Sequence, residues 1–326
     1  MKKSFLHSFP YLLLFLFAGL LLLESAFLPE LLGKIPERGS EAADYVPVTE
    51  TLFLERGDGT YTLAEAVYPK GYQGSMPLVA IGHGFTGNRN SGGAAELAAR
   101  LASRGIASVR MDFDPYTRPA KDSPQTHAYT LSSMQTDLLR GIGYMCGHHA
   151  IDMQNIGLYA RSMGGRVAMT MANEQSGGYD YCALALIAPA GTRNAMIDYM
   201  GGQAAWEQMK ETAAADGYML HQGLKLTPQW FAEFEAYDPC QHGDRFGDKP
   251  VLVIRNTLDY VVTPKTSLEC AKAYKNSHVI TVKTDNYHGY EMSYPDSALK
   301  EQLMTAITDH FAAAFFTQTE PADARL

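Results

Sequence analysis

Asn155-Ile-Gly-Leu-Tyr-Ala160, Arg161-Ser162-Met163-Gly164 and Gly165-Arg-Val-Ala-Met-Thr-Met-Ala-Asn173 follow one another without a break. The first segment is a short apolar run of strand length, and the last repeats its apolar residues at helical spacing. Ser162 therefore falls where a buried strand gives way to a helix. A serine hydroxyl is a weak nucleophile, and a tight strand-to-helix turn pushes its oxygen clear of the sheet while aiming the next backbone N–H into the same space. Such a turn needs small residues two positions either side of the serine. Gly164 is one, and Ala160 stands in place of the first glycine of Gly-x-Ser-x-Gly. A serine before glycines is equally the cap of an ordinary helix, so the rest of the chain must arbitrate.

Upstream, Pro77-Leu-Val-Ala-Ile-Gly82 is a second buried strand, and His83-Gly84-Phe85-Thr86-Gly87 follows it. A loop at that strand end is where a second oxyanion donor is needed: the N–H of Phe85, beside that of Met163. Two donors held where negative charge grows on a tetrahedral intermediate lower its barrier by several kcal/mol. The Gly-x-x-x-x-Gly-Lys of a phosphate loop is absent. Downstream, Val251-Leu-Val-Ile-Arg255 leads into Asn256-Thr-Leu-Asp259, and the strand at 279–283 leads into Thr284-Asp-Asn-Tyr-His288-Gly289. Nucleophile, acid and base thus occur in that order, each at a strand end, which predicts Ser162, Asp259 and His288 as the catalytic residues. Asp285 lies three residues before His288 on the same loop and ranks below Asp259. Asp112 and Asp114 precede the serine. His127, His148, His149, His242 and His278 lack a strand-end setting followed by glycine, and no histidine pair has metal-ligand spacing. No metal and no organic cofactor are expected.

Around these landmarks strands and helices alternate. Segments 50–55 and 61–68 flank Arg56-Gly-Asp-Gly59 as a hairpin. Helical patterns follow at 94–103, 131–145 and 165–173, with strands at 106–112, 155–160, 183–188 and 250–255 and a terminal helix at about 297–316. Continuous apolar strands alternating with helices predict an α/β fold, a mostly parallel sheet covered on both faces. The stretch 191–247 breaks the alternation and is expected to be a helical cap over the carboxyl edge of the sheet. Of its aromatics, Trp206, Trp230 and Phe234 are candidates to line a substrate pocket. The domain is expected to span 45–316.

The chain has 326 residues, 46% hydrophobic and 19% charged, with a net charge of -8. No Lys/Arg-rich run follows the first residues, so nucleic acid is excluded as a partner. Lys2 and Lys3 precede an apolar run of residues 11–23, which predicts an export signal or membrane anchor over 1–28, a spacer at 29–44 and a body outside the cytoplasm. Cleavage after Ala26 or Ser25 leaves Glu24 or Leu23 at the position that prefers a small residue, so the uncleaved anchor stays open. Residues 317–326 read as a frayed tail. Cys146, Cys182, Cys240 and Cys270 allow up to two disulfides, with three pairings if all four join, or buried free thiols, and their spacing does not choose.

From about Val46 to Phe316 the chain resembles the α/β-hydrolase superfamily. His83-Gly-Phe-Thr-Gly-Asn-Arg-Asn90, with Ile106-Ala-Ser-Val-Arg-Met-Asp-Phe113, is similar to the bacterial cinnamoyl/feruloyl esterase branch, among serine-aminopeptidase-like (S33) and dienelactone-hydrolase-like hydrolases. It departs from that branch at Arg161, where relatives often carry histidine, and at Asp114-Pro-Tyr-Thr-Arg118, where they carry Gly-His-Gly-x-Ser. The resemblance implies a serine hydrolase acting on a small ester through an acyl-enzyme. The alternatives are a peptidase acting on short peptides and a non-catalytic protein that keeps the fold.

Overall fold

The computed structural model describes residues 44–116 and 128–316. The apolar run at 11–23, nearly all of the spacer, His127 and the tail lie outside them. The chain enters as a hairpin, β1 (Pro47–Glu55) and β2 (Tyr61–Pro69), antiparallel with Thr51 opposite Glu65. Its turn needs glycine at positions 57 and 59, whose φ of 87° and 83° are costly for other residues. Then come β3 (Met76–Gly82), α1 (Ala94–Ser103), β4 (Ala107–Tyr116), β5 (Ala128–Tyr129), α2 (Leu131–His148), β6 (Ile151–Arg161), α3 (Ser162–Glu174) and β7 (Tyr181–Ile187). All seven residues of β3 and of β7 are buried, as a strand covered on both faces requires.

The main sheet has the order β1-β2-β4-β3-β6-β7-β10-β11, where β10 is Val251–Asn256 and β11 is Ser277–Val282. From β4 onward its strands run parallel. After β3 the chain moves outward to β4, then crosses back to lay β6 on the other side of β3. Beyond the carboxyl ends of β3 and β6 the strand order reverses, and such a switch point is where an open α/β sheet leaves a crevice. Gly82 and Ala160, the last buried residues of these strands, are directly paired. Helices α2 and α3 and the cap pack on one face of the sheet, while α1 and α8 (Ala298–Phe316) pack on the other.

Between β7 and β10 the insertion, or cap, consists of α4 (Arg193–Tyr199), α5 (Gln203–Asp216), β8 (Met219–His221), β9 (Leu224–Leu226), α6 (Pro228–Ala236) and two 3-10 turns at Pro239–Gln241 and Gly243–Phe246. It also carries a small sheet that alternation did not announce: β9 pairs antiparallel with β8 and parallel with β5, tying the cap to the segment after β4. Helix α7 (Pro264–Lys272) follows β10. Among the described residues no helix is long and apolar enough to cross a membrane.

Candidate active site

Ser162 stands between β6 and α3 with φ of 51°, a left-handed backbone that a residue with a side chain adopts only under constraint. The constraint is visible. A Cβ on Gly164 would come within 2.2 Å of the carbonyl oxygen of His83, and one on Gly165 within 3.0 Å of Pro189 Cα. The Ala190 N–H donates to the Ser162 carbonyl at 3.0 Å, closing the turn. Met163 lies in the first turn of α3, where backbone N–H groups lack intrahelical acceptors and the helix dipole favours negative charge.

The loop after β3 passes beside the serine: a Cβ on Gly84 would sit 3.1 Å from Ser162 Cβ and 3.7 Å from its Oγ. Phe85 comes next in that loop. His83 fixes the loop at its base. Its Nε2 accepts the Phe113 N–H at 3.0 Å, so Nδ1 carries the proton and donates to the Gly84 carbonyl at 2.7 Å. Burial pushes the imidazole below its usual range and keeps it neutral, as that bonding requires. Arg89 then anchors the far end of the loop, its guanidinium 2.7 Å from Asp112 and 3.0 Å from Glu65. Asp112 is therefore an anchor of this loop.

Asp259 follows β10, its side chain fully buried. Oδ1 accepts the N–H groups of Val261 and Val262 at 2.9 and 3.0 Å, and Oδ2 accepts His288 Nδ1–H at 2.9 Å and the Tyr290 hydroxyl at 3.1 Å. Four donors offset the cost of burying a carboxylate. The bond at Nδ1 leaves Nε2 of His288 as the basic nitrogen. Asn256 couples the two loops, donating from Nδ2 to the carbonyls of Thr284 and Tyr287 at 2.8 and 3.0 Å while its N–H donates to Tyr290 Oη at 2.8 Å. Asp285 is exposed. Ser162, His288, Gly84, Phe85, Arg161 and Tyr159 share the wall of one cavity of about 290 Å³.

Residues 75–227 match the family model described as serine aminopeptidase, S33. Among solved structures, the chain is similar to Est1E from Butyrivibrio proteoclasticus, 23% identical with TM-score 0.61, over 79% of this chain and 96% of that one. The mouse alpha/beta hydrolase domain-containing protein 10 is 18% identical with TM-score 0.57, over 80% and 97%. An acetyl xylan esterase from Paenibacillus sp. R4 is 16% identical with TM-score 0.54, over 86% and 98%. The chain has the α/β-hydrolase fold. No curated protein matches its sequence.

The aromatics expected at the pocket lie elsewhere. Trp206, Trp230 and Phe234 are 0%, 0% and 1% exposed and pack against one another, with the Trp206 and Trp230 rings 5.4 Å apart and Trp230 and Phe234 4.9 Å apart. They pack among the other buried apolar residues of the cap, such as Ile197, Leu226 and Phe231, in the layer on that face of the sheet, and do not line the cavity beside Ser162. Phe85 makes the link, its ring 6.4 Å from Trp230 and 5.9 Å from His221 of β8. Three contributors escaped sequence reasoning. Asn256 and Tyr290 carry no motif of their own. Tyr159 read as strand filler, yet the residue lines the cavity, and its buried hydroxyl has no hydrogen-bond partner among the described residues and is pushed up to about 12 by burial. Among those residues no group of three or more His, Cys, Asp or Glu side chains could hold a metal ion.

Proposed function

We propose that the chain is a serine hydrolase that cleaves small carboxylic esters through an acyl-enzyme. The reading is carried by one arrangement: His288, oriented by Asp259 at 2.9 Å, lines the same cavity as a serine held at φ 51° on a strand-to-helix turn. In this mechanism Nε2 of His288 takes the Ser162 proton as Oγ attacks the carbonyl carbon. Asp259 holds the imidazole in the tautomer that leaves Nε2 basic and stabilises its cationic form. The N–H groups of Phe85 and Met163 receive the developing oxyanion. His288 then returns the proton to the departing alcohol, and water repeats the sequence on the acyl-Ser162 ester. The cavity's volume, at the lower edge of the ligand-pocket range of roughly 300–1,000 Å³, favours a small acyl group.

The match to the serine aminopeptidase model favours a second reading, the same nucleophile with an amine leaving group. A fluorophosphonate probe followed by a panel of chromogenic esters and aminoacyl amides separates them. The panel should include a feruloyl ester, because Est1E, solved with ferulic acid bound, shares this fold. Labelling at Ser162 with ester turnover is expected, and Ser162→Ala should lower kcat by about 10⁵- to 10⁶-fold with the circular dichroism spectrum unchanged. Absence of labelling of the folded protein would remove the hydrolase reading, and turnover of amides alone would replace esters with peptides. The lysines and apolar run at the amino terminus support an address outside the cytoplasm, which fractionation of cells producing the full chain would test.

A further inference from the structure

Two of the cysteines that spacing left unassigned meet where the cap returns to the sheet domain. Cys240 lies in the 3-10 turn Pro239–Gln241, and Cys270 near the end of α7. Their Sγ atoms are 2.9 Å apart, across 30 residues of sequence. A bonded pair sits at about 2.03–2.05 Å, so a shift of less than an ångström joins them.

Both sulfurs are held in place by their surroundings. The Cys240 turn is fixed by its own N–H donating to Asp238 Oδ1 at 3.0 Å and by Asn173 Nδ2 donating to the Pro239 carbonyl at 2.9 Å. Cys270 is fully buried, with the Pro189 carbonyl 3.6 Å from its Sγ and space at Gly191 so tight that a Cβ would fall 2.8 Å from the same sulfur. The other two cysteines have different neighbours. Cys182 packs with the layer on the opposite face of the sheet, 4.0 Å from Asn155 Oδ1, and Cys146 lies against Tyr179.

We propose that Cys240 and Cys270 are a disulfide site, whose bond ties the returning end of the cap to α7. The closed loop contains β10 and Asp259, so the bond braces the cap against the segment that carries the acid. The oxidant is a small disulfide, and Cys240 is the point of entry because it borders an open cleft of about 530 Å³. Its thiolate attacks one sulfur of the small disulfide and releases the first thiol. Cys270, as thiolate, then attacks Cys240 Sγ in the mixed disulfide and releases the second. Both protein thiols lose a proton, the two electrons reside in the two released thiols, and the protein loses two hydrogens. The partner sulfur and burial push the Cys240 thiol well above its usual range. No stabilised thiolate therefore favours the reduced form, which marks a structural link more than a catalytic one.

The test incubates the folded full-length protein with oxidised glutathione, removes the glutathione, and counts thiols after denaturation without reductant. Two of the four thiols should remain, with a peptide linking Cys240 to Cys270 in the digest and a mass lower by two hydrogens. Reduction should then lower the melting temperature by roughly 5–10 °C. Cys240→Ser should leave three free thiols and melt like the reduced wild type, whereas Cys146→Ser should still form the link. Four free thiols, glutathione retained on Cys240, or a link through Cys146 or Cys182 would overturn the proposal. The thiol count needs no variant to fold, and it is independent of whether Ser162 hydrolyses anything.

Discussion

Arg161 Nη2 donates to the carbonyls of His288 and Gly289, at 2.8 and 3.3 Å, from the position just before the serine. Its guanidinium occupies the space a side chain at position 92 would need: a Cβ on Gly92 would lie 1.6 Å from Arg161 Nη1. One planar cation therefore links the end of β6 to the loop that carries the imidazole, through a single nitrogen, Nη2, shared by both carbonyls. Under the proposed mechanism Arg161 is a positioning residue. Arg161→Ala should lower kcat by roughly 10- to 100-fold, the size expected when a general base drifts by about an ångström, while KM changes little. Arg161→Lys should recover part of the loss. A variant whose KM rises while kcat holds would place Arg161 in substrate binding instead. The sequence pointed to this position only as a departure from relatives with histidine; the reason for it lies 127 residues away, which no local pattern carries.

At the scale of elements, the main sheet was legible because its buried strands are closed apolar runs; Ser162 and Asp259 were singled out as lying just past such runs, and His288 as following the half-buried edge strand β11. Boundaries drifted: central strand β6 begins four residues before its apolar part, where Ile151 pairs with Met76 across a register shift, and α3 starts at the serine itself. Helix α7 went unread although Thr263 caps it and Pro264 opens it, since nine residues with a weak apolar face resemble a loop. The three-residue strands β8 and β9 are too short for periodicity to register at all. Nor did sequence show how the cap is held. Arg166 of α3, one turn beyond the serine, is 1% exposed and donates to the carbonyls of Gly191 and Thr192 at 3.1 Å each, of Phe234 at 2.8 Å, and of Tyr237. Its guanidinium also lies 4.1 Å from the centre of the Phe234 ring. Burial pulls it down to about 10, still charged at neutral pH. Both ends of the cap hang on this one side chain. Arg166→Met, which keeps the volume, would strand four carbonyls and should cost about 3 kcal/mol or more. Chemical denaturation would measure it, with cap peptides exchanging amide hydrogens faster than β3 or β7. A loss under 1 kcal/mol would mean that the carbonyls find other donors.

Across the whole molecule, acid sensitivity should begin well above the carboxylate range. His310 of α8 lies on the far face of the sheet, its Nε2 3.1 Å from the Leu184 carbonyl of central strand β7, and burial pushes its pKa from the usual 6.5 down to about 4. His83, at the base of the loop after β3, is pushed the same way by burial. In each case the unfolded chain takes up a proton that the folded chain refuses. The stabilisation is complete above about pH 6.5 and is lost as pH falls towards the folded values. For His310 this amounts to about 2–3 kcal/mol by pH 4. Carboxylates that hydrogen bonds hold below their usual range, such as Glu96 beside Lys300 and Glu291 beside Ser297, add a loss of the same sign only below about 4.5. Asp137, pushed up by burial, works in the opposite direction. The interval from 6.5 to 4.5 thus belongs mainly to the buried imidazoles. His310→Gln keeps a donor for the Leu184 carbonyl and cannot titrate. Unfolding free energies measured across that interval should fall less steeply for His310→Gln than for the wild type, and the subtraction cancels Asp137. Parallel curves would mean that His310 is protonated in the folded state, with water reaching the α8 layer.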